Sequence, residues 1–336
     1  MTFNATIQPS QHKFPINTEQ TILEGAQAHG LTLPYSCRNG ACGACKGKVL
    51  QGTVDHGRSQ DVLSEAEKAD GWALFCCAKP QSDIVIECHE VMTGKEIQVR
   101  TLPTRVHKME KLADDVMAIY LKLPTNERLQ FFAGQYIDIL QKDGKPRSFS
   151  LANAPHDDDT LELHVRNIAG GEFTHHVFNT MKERDILRIK GPLGTFFLRE
   201  DSDLPIIFVA SGTGFAPIKA IIEHALHIGV KRPMHIYWGV RKASDLYMAE
   251  KTDLWQSLGI RFTPVVSDEQ WNGRQGFVHE AVLEDYADLS SYQVYACGAP
   301  IVVEAAHREF TSNRKLPENA FFSDAFTFAP KTAPTV

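Results

Sequence analysis

No apolar run in this chain approaches the roughly 18–20 residues that a membrane span needs, so no membrane span is expected. The first residues, MTFNATIQPSQHKF, carry neither the basic n-region nor the apolar h-region of an export signal. The cytoplasm is therefore the expected compartment. A surplus of positive charge is also missing: 35 Lys and Arg against 41 Asp and Glu leave a formal net charge of −6. Nucleic-acid binders need a basic footprint, so no nucleic-acid partner is expected. Internal repeats and low-complexity tracts are absent, and 43% hydrophobic with 23% charged residues describes an ordinary folded protein. Cysteine is almost confined to the first 88 residues of the chain. Of the seven, only Cys297 lies beyond Cys88. An odd, clustered set without an export signal argues for metal or cluster ligation and against a disulfide framework.

At 336 residues the chain is too long for one core and suggests two or three domains. Near its start, Cys37-Arg-Asn-Gly-Ala-Cys42-Gly-Ala-Cys45 places four residues between the first two cysteines and two between the next. That is the plant-type spacing of a 2Fe–2S cluster, which takes a fourth cysteine further along. Four thiolates complete the tetrahedral coordination of two irons. Small Gly40, Ala41, Gly43 and Ala44 let backbone N–H groups close on the sulfurs. Zinc sites usually pair two C-x-x-C knuckles, and the second is missing. Around this loop, Phe3, Ala5 and Ile7 alternate as in a half-buried strand, and 21–29 suits a helix with Gly30 as its stop. The runs 48–54 and 83–88 read as strands, and Ser64 with Glu67 has the form of a capping box. Residues 1–92 thus read as a small α+β unit, followed by a polar linker over 93–101.

From Leu102 the pattern changes. The runs 116–123, 135–140, 147–152, 161–167 and 186–190 are short and β-like, with Asp143-Gly144 and Gly170-Gly171 as turns between them. Residues 102–202 are therefore expected to form an antiparallel barrel. After Pro205, apolar strands at 206–210, 234–240, 261–266 and 293–296 alternate with helical stretches such as 218–228. Residues 203–336 read as α/β with a parallel sheet, ending in a loose tail over 330–336. Strand 206–210 runs directly into Ser211-Gly212-Thr213-Gly214-Phe215-Ala216-Pro217 and then a helix. A strand, a glycine turn and a helix start suit a pyrophosphate, although Pro217 replaces the third glycine of G-x-G-x-x-G.

These segments resemble known families in order. Residues 1–92 resemble a plant-type ferredoxin domain, a β-grasp fold, in which the fourth ligand precedes a proline by four positions. Cys76-Cys77-Ala78-Lys79-Pro80 places Cys76 there, and the implied ligands are Cys37, Cys42, Cys45 and Cys76. Arg147-Ser148-Phe149-Ser150 resembles the Arg-x-Tyr-Ser motif of the ferredoxin–NADP reductase family, whose FAD domain is an antiparallel β-barrel. The resemblance implies that Arg147 and Ser148 contact FAD, Phe149 stacks on the flavin in place of tyrosine, and Ser150 bonds near the reactive N5. Gly170, Gly171, Phe173 and Thr174, at a glycine turn before a helix, join the FAD-binding set, and 191–196 matches the loop closing that domain.

The glycine turn after strand 206–210 resembles the same family's Gly-Thr-Gly-x-Ala-Pro, set in a Rossmann-like NAD(P)-binding sheet. Tyr237-Trp238-Gly239-Val240-Arg241 fits its second nucleotide strand, and Cys297-Gly298-Ala299-Pro300 its Cys-Gly-x-Pro. Gly212, Thr213, Gly214, Pro217, Arg241, Cys297 and Gly298 are then coenzyme-binding. Ser150, Cys297 and Phe326 form the implied catalytic set, with Phe326 as a C-terminal aromatic over the flavin. Arg241 and Lys242 suit a 2′-phosphate, yet arginine here is also seen in NADH-using relatives; NADH is the expected coenzyme and NADPH the alternative.

A cluster carries one electron at a time, so a flavin must divide the hydride pair. The implied activity is an NAD(P)H-dependent reductase passing electrons through FAD and the 2Fe–2S cluster to a partner protein. The domain order resembles reductases of the CDP-6-deoxy-Δ-3,4-glucoseen type, whose partner is a dehydrase, and the reductase components of multicomponent oxygenases. The cluster loop and the stretch 181–187 favour the former. Non-catalytic relay subunits, the other alternative, usually place the cluster region after the nucleotide domain, whereas here it comes first.

Overall fold

A computed structural model describes residues 1–58, 62–88, 97–141 and 144–327. The chain divides into two compact units, residues 1–96 and 97–336. The linker expected over 93–101 lies partly outside the described residues, and the tail expected over 330–336 lies wholly outside them.

In the first unit, strands β1 (Thr2–Gln8) and β2 (Lys13–Asn17) form a hairpin, with Ala5 and Ile7 turned into the core. Helix α1 (Ile22–Ala28) opens on a capping box, Thr21 with Glu24, and buries Ile22, Leu23 and Ala26. Then come β3 (Lys46–Gln51), the short β4 (Val54–Asp55), α2 (Glu65–Ala69), β5 (Trp72–Leu74), β6 (Lys79–Pro80) and β7 (Ile84–Glu87). The main sheet has the order β2-β1-β7-β3-β5, with β1 and β7 parallel and the other pairs antiparallel. This is the β-grasp arrangement. Ser64 caps α2 through a reciprocal bond with Glu67, the pattern its sequence announced.

The second unit opens with a barrel. Its strands are β8 (Arg100–Ala113), β9 (Val116–Lys122), β10 (Tyr136–Leu140), β11 (Pro146–Ser150), β12 (Leu161–Arg166) and β13 (Ile186–Leu193), and α3 (Glu172–Asn179) lies between the last two. The order is β11-β10-β13-β8-β9-β12, antiparallel throughout, and a bridge between Leu151 and Leu163 joins the two ends. Inward residues such as Val106, Ile119, Ile137, Leu163 and Ile189 fill it.

Strand β8, the longest of the barrel, was not among the β-like runs read from the sequence. Leu102, Thr104 and Val106 point inward, but Thr104 is polar and Pro103 interrupts the signal. Beyond Val106 the strand carries bulges and runs past the core with both faces wet, so the period of two disappears. It begins at Arg100, inside the stretch read as linker.

The chain then forms a parallel sheet: β14 (Ile206–Ser211), α4 (Phe215–His227), β15 (Met234–Val240), α5 (Ala249–Ser257), β16 (Arg261–Val266), β17 (Arg274–Gln275), α6 (Val278–Asp285), β18 (Gln293–Gly298), α7 (Pro300–Arg314) and β19 (Phe321–Ala325). Its order is β17-β16-β15-β14-β18-β19, every pair parallel. Sequence order runs outward on one side of β14 and resumes with β18 on the other. The carboxyl ends of β14 and β18 therefore flank a topological switch point, where open α/β sheets bind ligands.

Candidate functional site

The first unit gathers its cysteines from two segments. The loop between α1 and β3 brings Cys37, Cys42 and Cys45, and the turn after β5 brings Cys76 and Cys77. All are free thiols; Cys42, Cys45 and Cys76 are buried and Cys37 is half-buried. The Cys37 N–H donates to Cys42 Sγ at 3.5 Å. Hydrogen bonds from the Cys42 and Cys76 thiols, aided by backbone N–H groups of Asn39 and Ala41, hold the Cys37 thiol down at about 2. Cys42 is pushed up by its bond to Cys37 and by burial, and Cys76 by its bonds to Cys37, Cys45 and Cys77. Thiol hydrogen bonds thus link the four sulfurs, Cys37 to Cys42 and Cys76, and Cys76 to Cys45.

Cys77 stands outside this set. Its Sγ lies 3.6 Å from Cys76 Sγ, and Cys76 is the sulfur that lowers its pKa. A Cβ on Gly40 (φ +79°) would sit 2.7 Å from Cys77 Sγ and 2.5 Å from the Arg58 carbonyl, so the turn admits only glycine. Among the described residues no three His, Cys, Asp or Glu side chains are arranged for a single metal ion. A 2Fe–2S group instead spreads four thiolates over two irons. The converging sulfurs and their shell of small residues fit that group.

In the barrel, the alternation of β11 separates the Arg-x-Phe-Ser motif into two faces. Phe149 packs against Phe173 from α3, ring centres 5.3 Å apart. Arg147 turns its guanidinium to the carbonyls of Lys145 and Pro146. On the other face, Ser148 donates to Asp138 of β10 at 2.7 Å. Ser150 is buried and donates to Asp324 of β19 at 3.2 Å. Gly170 and Gly171 lead into α3, whose first turn has no side-chain cap, and Thr174 instead closes the loop back on Ile168 and Gly171.

Asp324 is Cα-paired with Cys297 across β19 and β18. Burial, with the Asp324 charge beside it, pushes the Cys297 thiol well up. Ser150, Asp324 and Cys297 therefore meet at one buried point of the switch. Nothing local in the sequence marks Asp324, because only the register of β18 and β19 brings it there. Phe326 follows β19 directly, donates its N–H to Gly298 and packs half-buried on the nucleotide-domain core.

The turn Gly212–Gly214 sits at the end of β14, with Pro217 buried in the first turn of α4. A Cβ on Gly212 would stand 3.0 Å from Nη1 of Arg166, at the end of β12. Arg166 Nη2 is buried without a hydrogen-bond partner, and Nε makes a 3.3 Å ion-pair contact with Asp115. A buried guanidinium donor left open beside a glycine turn is what a pyrophosphate would complete. The sequence reading missed Arg166, which looks like an ordinary strand end.

The family models agree with this geometry. One described as a 2Fe-2S iron-sulfur cluster binding domain matches residues 5–81, an oxidoreductase FAD-binding domain matches 103–198, and an oxidoreductase NAD-binding domain matches 208–308. The CDP-6-deoxy-L-threo-D-glycero-4-hexulose-3-dehydrase reductase of Yersinia pestis is 41% identical over 330 residues, covering 97% of this chain and 99% of that protein. The chain belongs to the iron–sulfur flavoprotein reductases. Terephthalate 1,2-dioxygenase reductase component 1 of Comamonas sp is 32% identical, with 96% of this chain and 97% of that protein covered. A crystal structure of the Amycolatopsis cytochrome P450 reductase GcoB superposes with a TM-score of 0.77 at 34% identity, covering 96% of this chain and 98% of that one. The protein is accordingly an NAD(P)H-dependent oxidoreductase with a 2Fe–2S domain, an FAD domain and a nucleotide domain.

One feature fixes the reductase's barrel against its nucleotide sheet, and another fixes the strand ends within that sheet. The first is a buried polar network. Lys219 of α4 donates to the Ala152 carbonyl at 2.9 Å, Glu162 at 2.9 Å and Glu223 at 3.1 Å. Glu162 also accepts from His164 Nε2 at 2.8 Å, and His164 Nδ1 lies 3.1 Å from the Tyr247 hydroxyl. Burial pushes the His164 pKa down, so the ring is neutral. With Nε2–H committed to the carboxylate, Nδ1 must accept from Tyr247.

The other is close backbone packing. A Cβ on Gly214 would stand 2.1 Å from the Cys297 carbonyl oxygen and 2.8 Å from Gly298 Cα. Neither obstacle is a flexible side chain. Gly214→Ala is expected to destabilise the second unit by about 1–3 kcal/mol and to raise the KM for the coenzyme, because the two strand ends must part. Thermal melting with steady-state kinetics checks this; an unchanged melt and KM would show that the strand ends yield freely.

Proposed function

We propose that this reductase draws electrons from NADH and delivers them to a dehydrase that acts on a CDP-6-deoxyhexulose. The observation that carries this reading is the 41% identity to the Yersinia pestis dehydrase reductase, against 32% to the dioxygenase reductase over nearly the same span. When bound, FAD supplies the exchange between a hydride pair and single electrons, and the 2Fe–2S cluster the one-electron carrier.

The chain's own residues divide the remaining work. Cys37, Cys42, Cys45 and Cys76 hold the cluster. Phe149, backed by Phe173, offers a ring face to the flavin. Arg147 and the open first turn of α3, from Gly170 to Thr174, suit the FAD pyrophosphate. Gly212–Gly214 with Arg166 suit that of the coenzyme. Ser150 presents a hydroxyl held by Asp324, and the neutral Cys297 thiol lines the same point, where water is excluded by burial. Ser148, tied to Asp138, serves the flavin pocket by holding β10 against β11.

In this reading residues 1–92, 102–202 and 203–336 are the working domains. No helix among the described residues is long and apolar enough to cross a membrane, and the cytoplasm is the proposed compartment.

The test is reconstitution. Holoprotein, NADH and a purified CDP-6-deoxyhexulose 3-dehydrase should consume NADH in step with deoxysugar formation. Brisk NADH-driven dye reduction that supports an oxygenase component, and not the dehydrase, would move the acceptor to the oxygenase class.

A further inference from the structure

Between the barrel and the nucleotide sheet lies a cleft of about 580 Å³, lined among others by Lys111, Asp115, Arg241, Lys242, Asp245 and Asp268. Asp115 comes from the β8–β9 turn, and its position is fixed because its carbonyl accepts from Asn167 N–H at 2.7 Å. Its Oδ2 lies 3.3 Å from Arg166 Nε and 3.8 Å from Arg241 Nη2. One carboxylate of the barrel thus faces two cations, one at the pyrophosphate turn and one just past β15.

NADH and NADPH differ only at the ribose 2′ position, a hydroxyl in one and a phosphate in the other. With the pyrophosphate at the end of β14, the adenosine half falls towards the end of the neighbouring strand, which is where Arg241 and Lys242 lie. Those residues would suit a phosphate, but anions stand beside them. Asp115 faces the Arg241 guanidinium, and two further carboxylates are fixed on the same loop through its backbone: Asp245 accepts the Lys242 amide N–H at 3.3 Å and Glu269 the Ala243 amide N–H at 2.6 Å. A 2′-phosphate would have to displace or face these anions, whereas a 2′-hydroxyl can donate to one of them.

We propose that Asp115, carried by the FAD barrel, is the residue that selects NADH over NADPH in this reductase. It does so by facing the Arg241 guanidinium across 3.8 Å and by presenting a negative charge where the extra phosphate would enter. The proposal rests on the coenzyme reading of the Gly212–Gly214 turn given above. It also assigns the barrel a part in coenzyme choice, which then does not depend on the nucleotide domain alone.

The experiment compares holoprotein with Asp115→Asn and Asp115→Ser. Two readouts are taken: kcat/KM for each coenzyme with a dye acceptor, and calorimetric binding of 5′-ADP and of adenosine 2′,5′-bisphosphate. The wild type should prefer NADH and bind 5′-ADP more tightly than the bisphosphate. A charge-assisted contact regained by the phosphate corresponds to a rise of about tenfold or more in the NADPH/NADH ratio of kcat/KM in the variants, with a parallel gain in bisphosphate affinity. A ratio unchanged within about twofold, or a wild type that already prefers NADPH, would overturn the role of Asp115 while leaving the coenzyme site standing. Failure of 5′-ADP to bind at all would instead overturn the site reading beneath it.

Discussion

Replacing Cys76 with serine is expected to remove the cluster's visible spectrum and nearly all of its iron, whereas Cys77→Ser should leave both in place. The two cysteines are adjacent, and spacing from Cys45 alone treats them alike. Their surroundings do not. Cys76 is buried and hydrogen-bonded through its thiol to Cys37 and Cys45, at the two ends of the loop, while Cys77 is half-buried and hydrogen-bonded to Cys76. A serine hydroxyl in place of Cys76 would have to ionise far below its ordinary range to replace a thiolate, and a plant-type cluster needs four. The Cys77 thiol can still influence the potential, because a sulfur 3.6 Å from a ligand sulfur alters the charge that the ligand carries. Anaerobic purification, iron and sulfide analysis and absorption spectra decide the matter. A colourless Cys77→Ser protein beside a coloured Cys76→Ser protein would reverse the ligand assignment.

How far the sequence carried depends on how local each signal was. The alternation of Phe3, Ala5 and Ile7, the helical run over 21–29, the Ser64 cap and the continuous apolar strand into Gly212 are local, and each element stands where its residues indicated, with Thr21 found as the cap of its helix. The cysteine spacing is equally local. Strand β8 was hidden because its outer half has no core to face, so its side chains show no period. β19 was hidden for a different reason: it is an edge strand whose pairing partner lies more than twenty residues back, beyond all of α7. The same non-locality concealed Asp324, which meets Ser150 across 174 residues, and Arg166, whose partners are a glycine turn and the Asp115 carboxylate. Residue type alone marked none of these as functional. In each case the site was assembled by strand register and by packing of the barrel against the sheet, neither of which a single sequence displays.

The largest loss of stability is expected from Lys219→Ala. Lys219 is almost fully buried and is the cation that compensates Glu162, whose side chain is only 9% exposed. Burial alone would raise the Glu162 pKa, but the His164 hydrogen bond and the Lys219 charge bring it down to about 2. Removing one partner of a buried ion pair leaves an unpaired charge and costs roughly 3–5 kcal/mol, or a drop of about 6–20 °C in the melting of a unit this size. Lys219→Met with Glu162→Gln should recover much of that, since the pair is replaced by neutral groups of similar volume.

The same network sets an acid limit. Glu162 has a depressed pKa in the folded chain, so its contribution is present above its ordinary value of 4.5 and is lost as pH falls through about 2. His164 is buried neutral, so below its ordinary 6.5 the unfolded chain takes up a proton that the folded chain refuses. Both effects act in one direction: the wild-type melting temperature should fall steadily from about pH 6.5 downwards. In the neutralised double variant the portion below about pH 4.5 should flatten. Parallel melting curves for the two proteins across that range would mean that Lys219 and Glu162 do not govern how firmly the barrel and the nucleotide sheet are joined.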